Sequence, residues 1–259
     1  MKKLIVMLGL ILGLASCEKD ILDPDGDLIR DLDDSTAQEY ISFAKGYYEC
    51  EDLFSYYPLN GTALDIVNKV DGIGTNAEFG EDRFGNENSA FRSGRDRFID
   101  VFDNEKFDFP ESFTISCWIK QAENPDHLDW MGHVDVMGKW GFGDDVDCYM
   151  IGINKQNQLQ AWFDTGSYEA HLINRDLLID TDWHNIALSY DAVNSEAKLY
   201  LDGDLVDTKE TNSSQYTGNP FRIGGRPDGY AAFDGLVDDV LIFDELIPEK
   251  YIKIISDFK

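Results

Sequence analysis

The strongest constraint on the fold is a set of short segments in which apolar residues recur at every second position. In residues 113–119, Phe, Ile, Cys and Ile alternate with Thr, Ser and Trp, and residues 184–190 repeat the same period. Residues 198–206 contain two such segments joined by Asp202-Gly203, a dipeptide that favours a type I′ hairpin turn because it tolerates positive φ. Short strands separated by turn residues predict an all-β sandwich and not a parallel α/β sheet.

The N-terminal segment has the composition of an export signal over residues 1–16. A basic start precedes an apolar run over residues 4–14, which is shorter than the roughly 20 residues that a membrane span needs. Leu14-Ala15-Ser16-Cys17 resembles the lipobox of bacterial lipoproteins, which implies that Cys17 becomes a lipidated first residue. The alternative is an ordinary secretory signal. Residues 18–20 (Glu-Lys-Asp) resemble the export signal of Bacteroidetes surface lipoproteins, which implies an outer-membrane lipoprotein exposed at the cell surface.

Charge restricts the partners that this chain can have. The sequence has 50 acidic and 22 basic residues and a net charge of −28. Such a field repels phosphate backbones and anionic lipid, so we expect no nucleic-acid partner and membrane contact only through a lipid anchor. Residues 17–49 are expected to form an acidic linker and residues 50–259 the folded domain, with short helices over residues 36–54 and 248–258.

Three cysteines remain beside Cys17, namely Cys50, Cys117 and Cys148. No pair of them has the spacing of a zinc site. The sequence therefore leaves two interpretations open, one disulfide or buried free thiols.

Several segments, in order along the chain, resemble the laminin-G-like family with its concanavalin A-like jelly roll. The resemblance covers roughly residues 54–247, through residues 57–65, 82–91, 112–120, 183–191, 199–203, 222–225 and 235–243. It implies a jelly-roll sandwich of two antiparallel sheets. It does not identify the function, because this fold includes lectins, glycanases and adhesion modules.

Two adjacent acids interrupt an otherwise apolar predicted strand at Asp238 and Asp239. A buried carboxylate must be paired, hydrogen-bonded or bound to a metal ion. The resemblance implies that an aspartate of the last strand helps to hold a structural calcium ion, so Asp238 is the first candidate ligand and Asp65 the second. The alternative is a hydrogen-bonded aspartate at a sheet edge.

Aromatic residues close to carboxylates predict a carbohydrate-binding site. The segment over residues 122–148 contains Trp130, Trp140 and Asp144, and Trp162 and Tyr168 lie on or beside a later strand. An aromatic ring stacks on the apolar face of a sugar, while acids accept hydrogen bonds from its hydroxyl groups. The alternatives are that the loop covers a sheet edge and that the later aromatic residues belong to the core.

No pattern in the sequence indicates catalysis. The glucanase relatives carry E-x-D-x-E or E-x-D-x-x-E on one strand, and this spacing does not occur here. We therefore predict a non-catalytic cell-surface lipoprotein whose domain binds an extracellular polysaccharide or glycan. The alternatives are a protein-binding adhesion module and, less favoured, a divergent glycoside hydrolase.

Overall fold

A computed structural model describes residues 53–102, 107–109, 111–123, 132–139, 149–164, 169–177, 179–212, 219–225 and 231–257. Apart from Leu53 these residues belong to one compact unit, Phe54–Lys259. The predicted signal, Cys17, the acidic linker, Cys50 and Cys148 lie outside the described residues. The helix predicted over residues 36–54 also lies outside them, except for Leu53 and Phe54, which begin a strand instead.

The described residues form fifteen strands and one helix. In chain order these are β1 (Leu53–Tyr57), β2 (Ile73–Thr75), β3 (Phe79–Gly80), β4 (Ala90–Ser93), β5 (Phe98–Val101), β6 (Phe113–Gln121), β7 (His133–Lys139), β8 (Tyr149–Asn154), β9 (Leu159–Asp164), β10 (Glu169–Ile173), β11 (Trp183–Asp191), β12 (Glu196–Leu201), β13 (Asp204–Glu210), β14 (Phe221–Ile223), β15 (Gly235–Phe243) and α1 (Glu249–Asp257).

Two sheets divide these strands. The eight-stranded sheet has the order β13-β12-β11-β6-β15-β4-β3, with β1 also paired to β15, and the seven-stranded sheet has the order β10-β9-β8-β7-β14-β5-β2. In the first, β6 pairs antiparallel with β11 and β15. In the second, β7 pairs antiparallel with β8 and β14. This architecture confirms the predicted all-β jelly-roll sandwich.

The core lies between the two sheets and follows the predicted alternation. On β6 the apolar set buried in the core is Phe113, Ile115, Cys117 and Ile119. Cys117 is a free, fully buried cysteine, and burial raises the pKa of its thiol well above the ordinary value. For this residue the buried-thiol interpretation is confirmed.

The predicted type I′ turn is present between β12 and β13. Asp202 and Gly203 both have positive φ, 50° and 79°. The Asp202 carboxylate accepts a hydrogen bond from the backbone N–H of Asn185 at 3.0 Å, and its other oxygen lies 2.8 Å from Nδ1 of His184. The turn is therefore tied to the start of β11.

His184 makes part of the stability dependent on pH. The hydrogen bond to Asp202 raises the pKa of His184 above its ordinary value of 6.5, against an opposing effect of burial, and Asp180 adds to the rise. The protonated form is thus favoured in the folded state. This contribution is complete below pH 6.5 and is lost as the pH rises through the raised pKa.

We expect the difference in unfolding free energy between the wild type and His184→Gln to shrink by up to about 1 kcal/mol as the pH rises through this range. The partner carboxylates are partly exposed, which keeps the effect small. Urea denaturation at a series of pH values measures it. A difference that stays constant with pH contradicts this role of His184.

The predicted closing helix is confirmed as α1. It buries Ile252, Ile255 and Ser256. The Nζ atom of Lys253 donates to the carbonyl of Asp202 at 2.9 Å, so the helix docks on the hairpin turn. Among the residues that the structure describes, no helix is long and apolar enough to cross a membrane.

Four strands end the two sheet orders, namely β13, β3, β10 and β2, and β10 has five residues. β2 has three residues and β3 has two. β13 is longer, with seven residues, and its mostly exposed or partly exposed side chains include four charges, Asp204, Asp207, Lys209 and Glu210. Its outward apolar residue is Leu205, which is 45% exposed.

Candidate functional site

The candidate site lies on the outer face of the seven-stranded sheet, opposite the core, and we call it the Trp162 face. Strand register places one residue from each of six strands in a row across it. The row consists of Asp100, Arg222, Gly138, Met150, Trp162 and His171. Its two ends carry different chemistry, aromatic rings at one and an ion pair at the other.

Trp162 points away from the core. Its neighbours on β9, Ala161 and Phe163, are fully buried in the core cluster, and the alternation of a strand directs Trp162 to the opposite side. The Trp162 ring is partly exposed and stacks on the His171 ring at 4.3 Å with an angle of 10°. The centre of the His133 ring, on β7, lies 4.7 Å from the centre of the Trp162 ring. The alternative that Trp162 belongs to the core is therefore wrong, and its role in ligand binding stays a prediction.

A glycine allows the strands beneath these rings to approach closely. A Cβ atom on Gly152 would come within 2.1 Å of the carbonyl oxygen of Val134 on β7. At the same point β7 has a bulge between Asp135 and Met137. The backbone N–H of Asp135 donates outside the sheet ladder, to the carbonyl of Ala231 at 2.7 Å. A bulge beside a site is a common means of redirecting side chains.

Polar groups surround the Trp162 ring. Nε2 of His171 lies 3.3 Å from Oε1 of Gln160, and Gln160 is only 2% exposed. Within the described part of the chain, the Nε2 amide of Gln160 has no hydrogen-bond acceptor. Burial, then the charge of His133, lowers the pKa of His171, so its imidazole is neutral near pH 7. The buried carboxylate of Asp135 lies 3.5 Å from Nε2 of His133.

The other end of the Trp162 face contains a buried ion pair. Arg222 binds Asp100 through two contacts of 2.5 and 2.7 Å, and its guanidinium lies 3.6 Å from the centre of the Phe98 ring. Two exposed apolar residues flank this pair. Ile73, opposite Asp100 on β2, is 61% exposed, and Phe102 is 57% exposed.

The sequence identified one residue of this site and missed its neighbours. Trp162 was a candidate, and His133 lies in the segment over residues 122–148, whereas Gln160 and His171 were not considered. His171 is beside Trp162 because of the register of β10 against β9, and Gln160 is two residues before Trp162 on the same strand, where alternation alone could have placed it. Four other candidates lie outside the described residues, namely Trp130, Trp140, Asp144 and Tyr168. They stay predictions.

Asp65, the second candidate calcium ligand, is buried and fully engaged with backbone groups. Its Oδ1 atom accepts hydrogen bonds from the backbone N–H groups of Tyr56, Val67 and Asn68 at 3.1, 3.0 and 3.2 Å. Its Oδ2 atom accepts one from Val70 at 3.3 Å. These contacts fold the chain back onto β1, and they leave the carboxylate little capacity for a metal ion.

Asp238, the first candidate, is paired with an arginine. Nη1 of Arg83 lies 2.6 Å from Oδ2 of Asp238, and Nη2 lies 2.6 Å from Oδ2 of Asp239. The hydroxyl of Tyr56 donates to Oδ1 of Asp239. Burial raises the pKa of Asp238, as does the charge of Asp239, and Arg83 opposes both.

These residues do not fit a calcium ion. Calcium needs six to eight oxygen ligands, and a guanidinium already occupies the position between the two carboxylates. In the described ranges, no group of three or more His, Cys, Asp or Glu side chains is arranged to hold a metal ion. Calcium binding by this chain stays an untested prediction, and the geometry around Asp238 argues against it.

The strand order of the two sheets defines a concanavalin A-like sandwich. The chain belongs to the laminin-G-like family of the concanavalin A-like lectin/glucanases superfamily, whose family model matches residues 93–253. Among curated proteins, no relative matches the chain at the sequence level.

Solved structures with this fold include several toxin binding domains. The binding domain of Paraclostridial Mosquitocidal Protein 1 is 18% identical with a TM-score of 0.63, covering 80% of this chain and 52% of that one. Botulinum neurotoxin type C, whose cell entry is dependent upon interaction with two ganglioside molecules, is 17% identical with a TM-score of 0.58, covering 81% and 52%. The binding domain of botulinum neurotoxin DC in complex with rat synaptotagmin II is 16% identical with a TM-score of 0.60, covering 81% and 52%.

This chain thus spans about half the length of these proteins. At such low identity the similarity shows the fold alone. The prediction that this chain is not an enzyme stays a prediction, because the superfamily includes glucanases as well as lectins.

Proposed function

We propose that this protein is a non-catalytic surface lipoprotein that binds an extracellular glycan through the Trp162 face. The observation that carries the proposal is the outward Trp162 ring beside the buried Gln160 amide that lacks an acceptor within the described residues. A sugar presents an apolar ring face to stack on an indole and hydroxyl oxygens to accept from an amide. Buried polar groups are normally satisfied, so an unsatisfied donor at a partly exposed ring favours a ligand oxygen.

The shape of the face supports the same ligand class. His171 and His133 hold the Trp162 ring on two sides, which fixes its orientation before a ligand binds. A preorganised ring loses little conformational entropy on binding. The fold is shared with a toxin that interacts with gangliosides, which supports a glycan ligand for this chain.

Substituting Trp162 with alanine is expected to weaken glycan binding by about tenfold to a hundredfold, because a stacked aromatic ring is worth roughly 1–3 kcal/mol. A glycan array probed with the purified protein, followed by calorimetry on the bound polysaccharide, measures this loss. The matched control is Trp183→Ala, since Trp183 is also partly exposed but lies on β11 of the other sheet.

The outcomes separate the possible sites. Loss of binding in Trp162→Ala with retention in Trp183→Ala supports the Trp162 face. Retention in Trp162→Ala combined with loss in Trp130→Ala or Trp140→Ala moves the site to the segment over residues 122–148. No binding to any glycan by the wild type contradicts the proposal.

A protein partner is the second candidate function, favoured by the exposed apolar pair at the other end of the same face. Ile73 and Phe102 are each more than half exposed and flank the Arg222–Asp100 pair. Such a combination of aromatic, aliphatic and arginine side chains is typical of protein interfaces. The fold is shared with a toxin domain solved in complex with synaptotagmin II. Binding of a protein that Phe102→Ser abolishes, without any glycan binding, would favour this function.

The surface location belongs to the same proposal and depends on Cys17. Metabolic labelling with a radioactive or alkyne-tagged fatty acid is expected to label the wild type and not Cys17→Ala. Protease treatment of intact cells is expected to remove the protein when it faces outward. A labelled protein that resists protease until the cells are broken contradicts surface exposure.

A further inference from the structure

A buried arginine stands between two adjacent carboxylates on the outer side of the eight-stranded sheet. The side chain of Arg83 is 3% exposed, and those of Asp238 and Asp239 are 4% and 10% exposed. Arg83 lies 155 positions before Asp238 and 156 before Asp239 in the sequence, and the three side chains form one compact charged group. The guanidinium also lies 4.9 Å from the Trp118 ring and 4.3 Å from the Phe84 ring.

A strand bulge presents both carboxylates to Arg83. Val237 and Val240 are both in the core cluster, although three positions separate them, because the pairing of β15 with β6 shifts between Asp238 and Leu241. Asp239 takes the left-handed conformation with φ of 46°. Consecutive strand residues normally point to opposite faces, so this bulge is what turns both acids outward.

A tight turn holds Arg83 in place. The Asp82 carboxylate accepts hydrogen bonds from the backbone N–H groups of Phe84 and Asn86, both at 2.8 Å. It accepts another from the side-chain amide of Asn86 at 2.9 Å. Arg83 therefore extends from a turn whose conformation is fixed by the hydrogen bonds to Asp82.

We propose that Arg83 takes the place of a structural cation in this chain, so that the fold does not depend on calcium, and that removing the Arg83 side chain opens a divalent-cation site between Asp238 and Asp239. Burial raises the pKa of Asp238, as do the charges of Asp239 and Asp82, and Arg83 is the cation that opposes this rise and favours the ionised carboxylate. Without Arg83, a divalent cation with water ligands would supply the missing charge. This inference is independent of the ligand that the Trp162 face binds.

The test compares thermal unfolding of the full chain in EDTA and in about 5 mM calcium, well above the dissociation constants of weak protein sites. The wild-type melting temperature is expected to be the same in both buffers. Arg83→Ala is expected to melt about 10 °C lower in EDTA, because a buried carboxylate pair loses its counter-ion. Calcium is expected to restore several degrees to this variant, since a ligand bound only to the folded state stabilises it.

A triple variant, Arg83→Ala with Asp238→Asn and Asp239→Asn, is the matched control and is expected to lose the calcium response. Calcium stabilisation of the wild type that Asp238→Asn abolishes would overturn the proposal. So would an Arg83→Ala variant whose melting temperature calcium leaves unchanged. If Arg83→Ala does not fold in either buffer, Arg83→Gln is refolded from urea, and a yield that calcium does not raise overturns the proposal.

Discussion

Replacing Phe113 with alanine is expected to lower the free energy of unfolding by about 3–5 kcal/mol. Phe113 lies on β6 in the eight-stranded sheet and is fully buried. Its ring packs against Tyr149 at 4.8 Å and Phe163 at 5.9 Å, both in the seven-stranded sheet. The substitution therefore leaves a cavity at the junction of the two sheets, where neither sheet can move without disturbing the other.

Urea denaturation with linear extrapolation measures this loss. Phe113→Leu retains most of the volume and is expected to lose about 1.5 kcal/mol or less. Phe102→Ala removes the same ring from an exposed position, and we expect a change within about 0.5 kcal/mol. A loss below about 1 kcal/mol for Phe113→Ala would show that the sheets do not depend on this contact.

Replacing Asp100 with alanine is expected to destabilise the protein by a similar amount, about 3–5 kcal/mol. The side chains of Arg222 and Asp100 are 5% and 10% exposed, so the substitution leaves a buried guanidinium without its carboxylate. This loss of stability comes from leaving the buried Arg222 guanidinium unpaired, and it does not measure the net contribution of the ion pair to folding. Thermal and urea unfolding both measure it.

The double variant Asp100→Leu with Arg222→Met distinguishes these two contributions. We expect it to recover most of the stability, because a buried pair replaced by apolar residues of similar volume is often neutral. Lys198→Ala is the exposed control, since Lys198 pairs with the half-exposed Glu249, and its cost is expected to stay below about 1 kcal/mol. A single variant Asp100→Ala as stable as Lys198→Ala would contradict the burial of this pair.

The sequence predicted the strands well because each carries its own alternation. Cys117 and its neighbours on β6, the Asp202-Gly203 turn and the closing helix could all be identified from local patterns. Such patterns specify which side of a strand is apolar. They do not specify which strand pairs with which, and both the candidate site and the charged group around Arg83 depend on that pairing.

The partner of the two acids on β15 and the orientation of Trp162 could not be predicted from the sequence. The interruption of β15 by Asp238 and Asp239 indicated a buried charged group, but its partner Arg83 lies on a distant turn that the sequence does not connect to it. Trp162 and Phe163 are both aromatic, so alternation could not decide which one faces the core. The neighbouring His171 is placed by the register of β10 against β9.

The short and charged outer strands have a consequence for crowded conditions. An exposed sheet edge invites another chain to add a strand, and long, flat, uncharged edges promote such aggregation. Here β2 and β3 are too short to template a partner, and four charges on β13 resist a second copy approaching the longest edge. The remaining outer strand, β10, already donates the backbone N–H of Ile173 to the Asp207 carboxylate of β13 at 2.9 Å. We therefore expect many copies packed side by side to remain separate molecules, each with its Trp162 face free for a ligand.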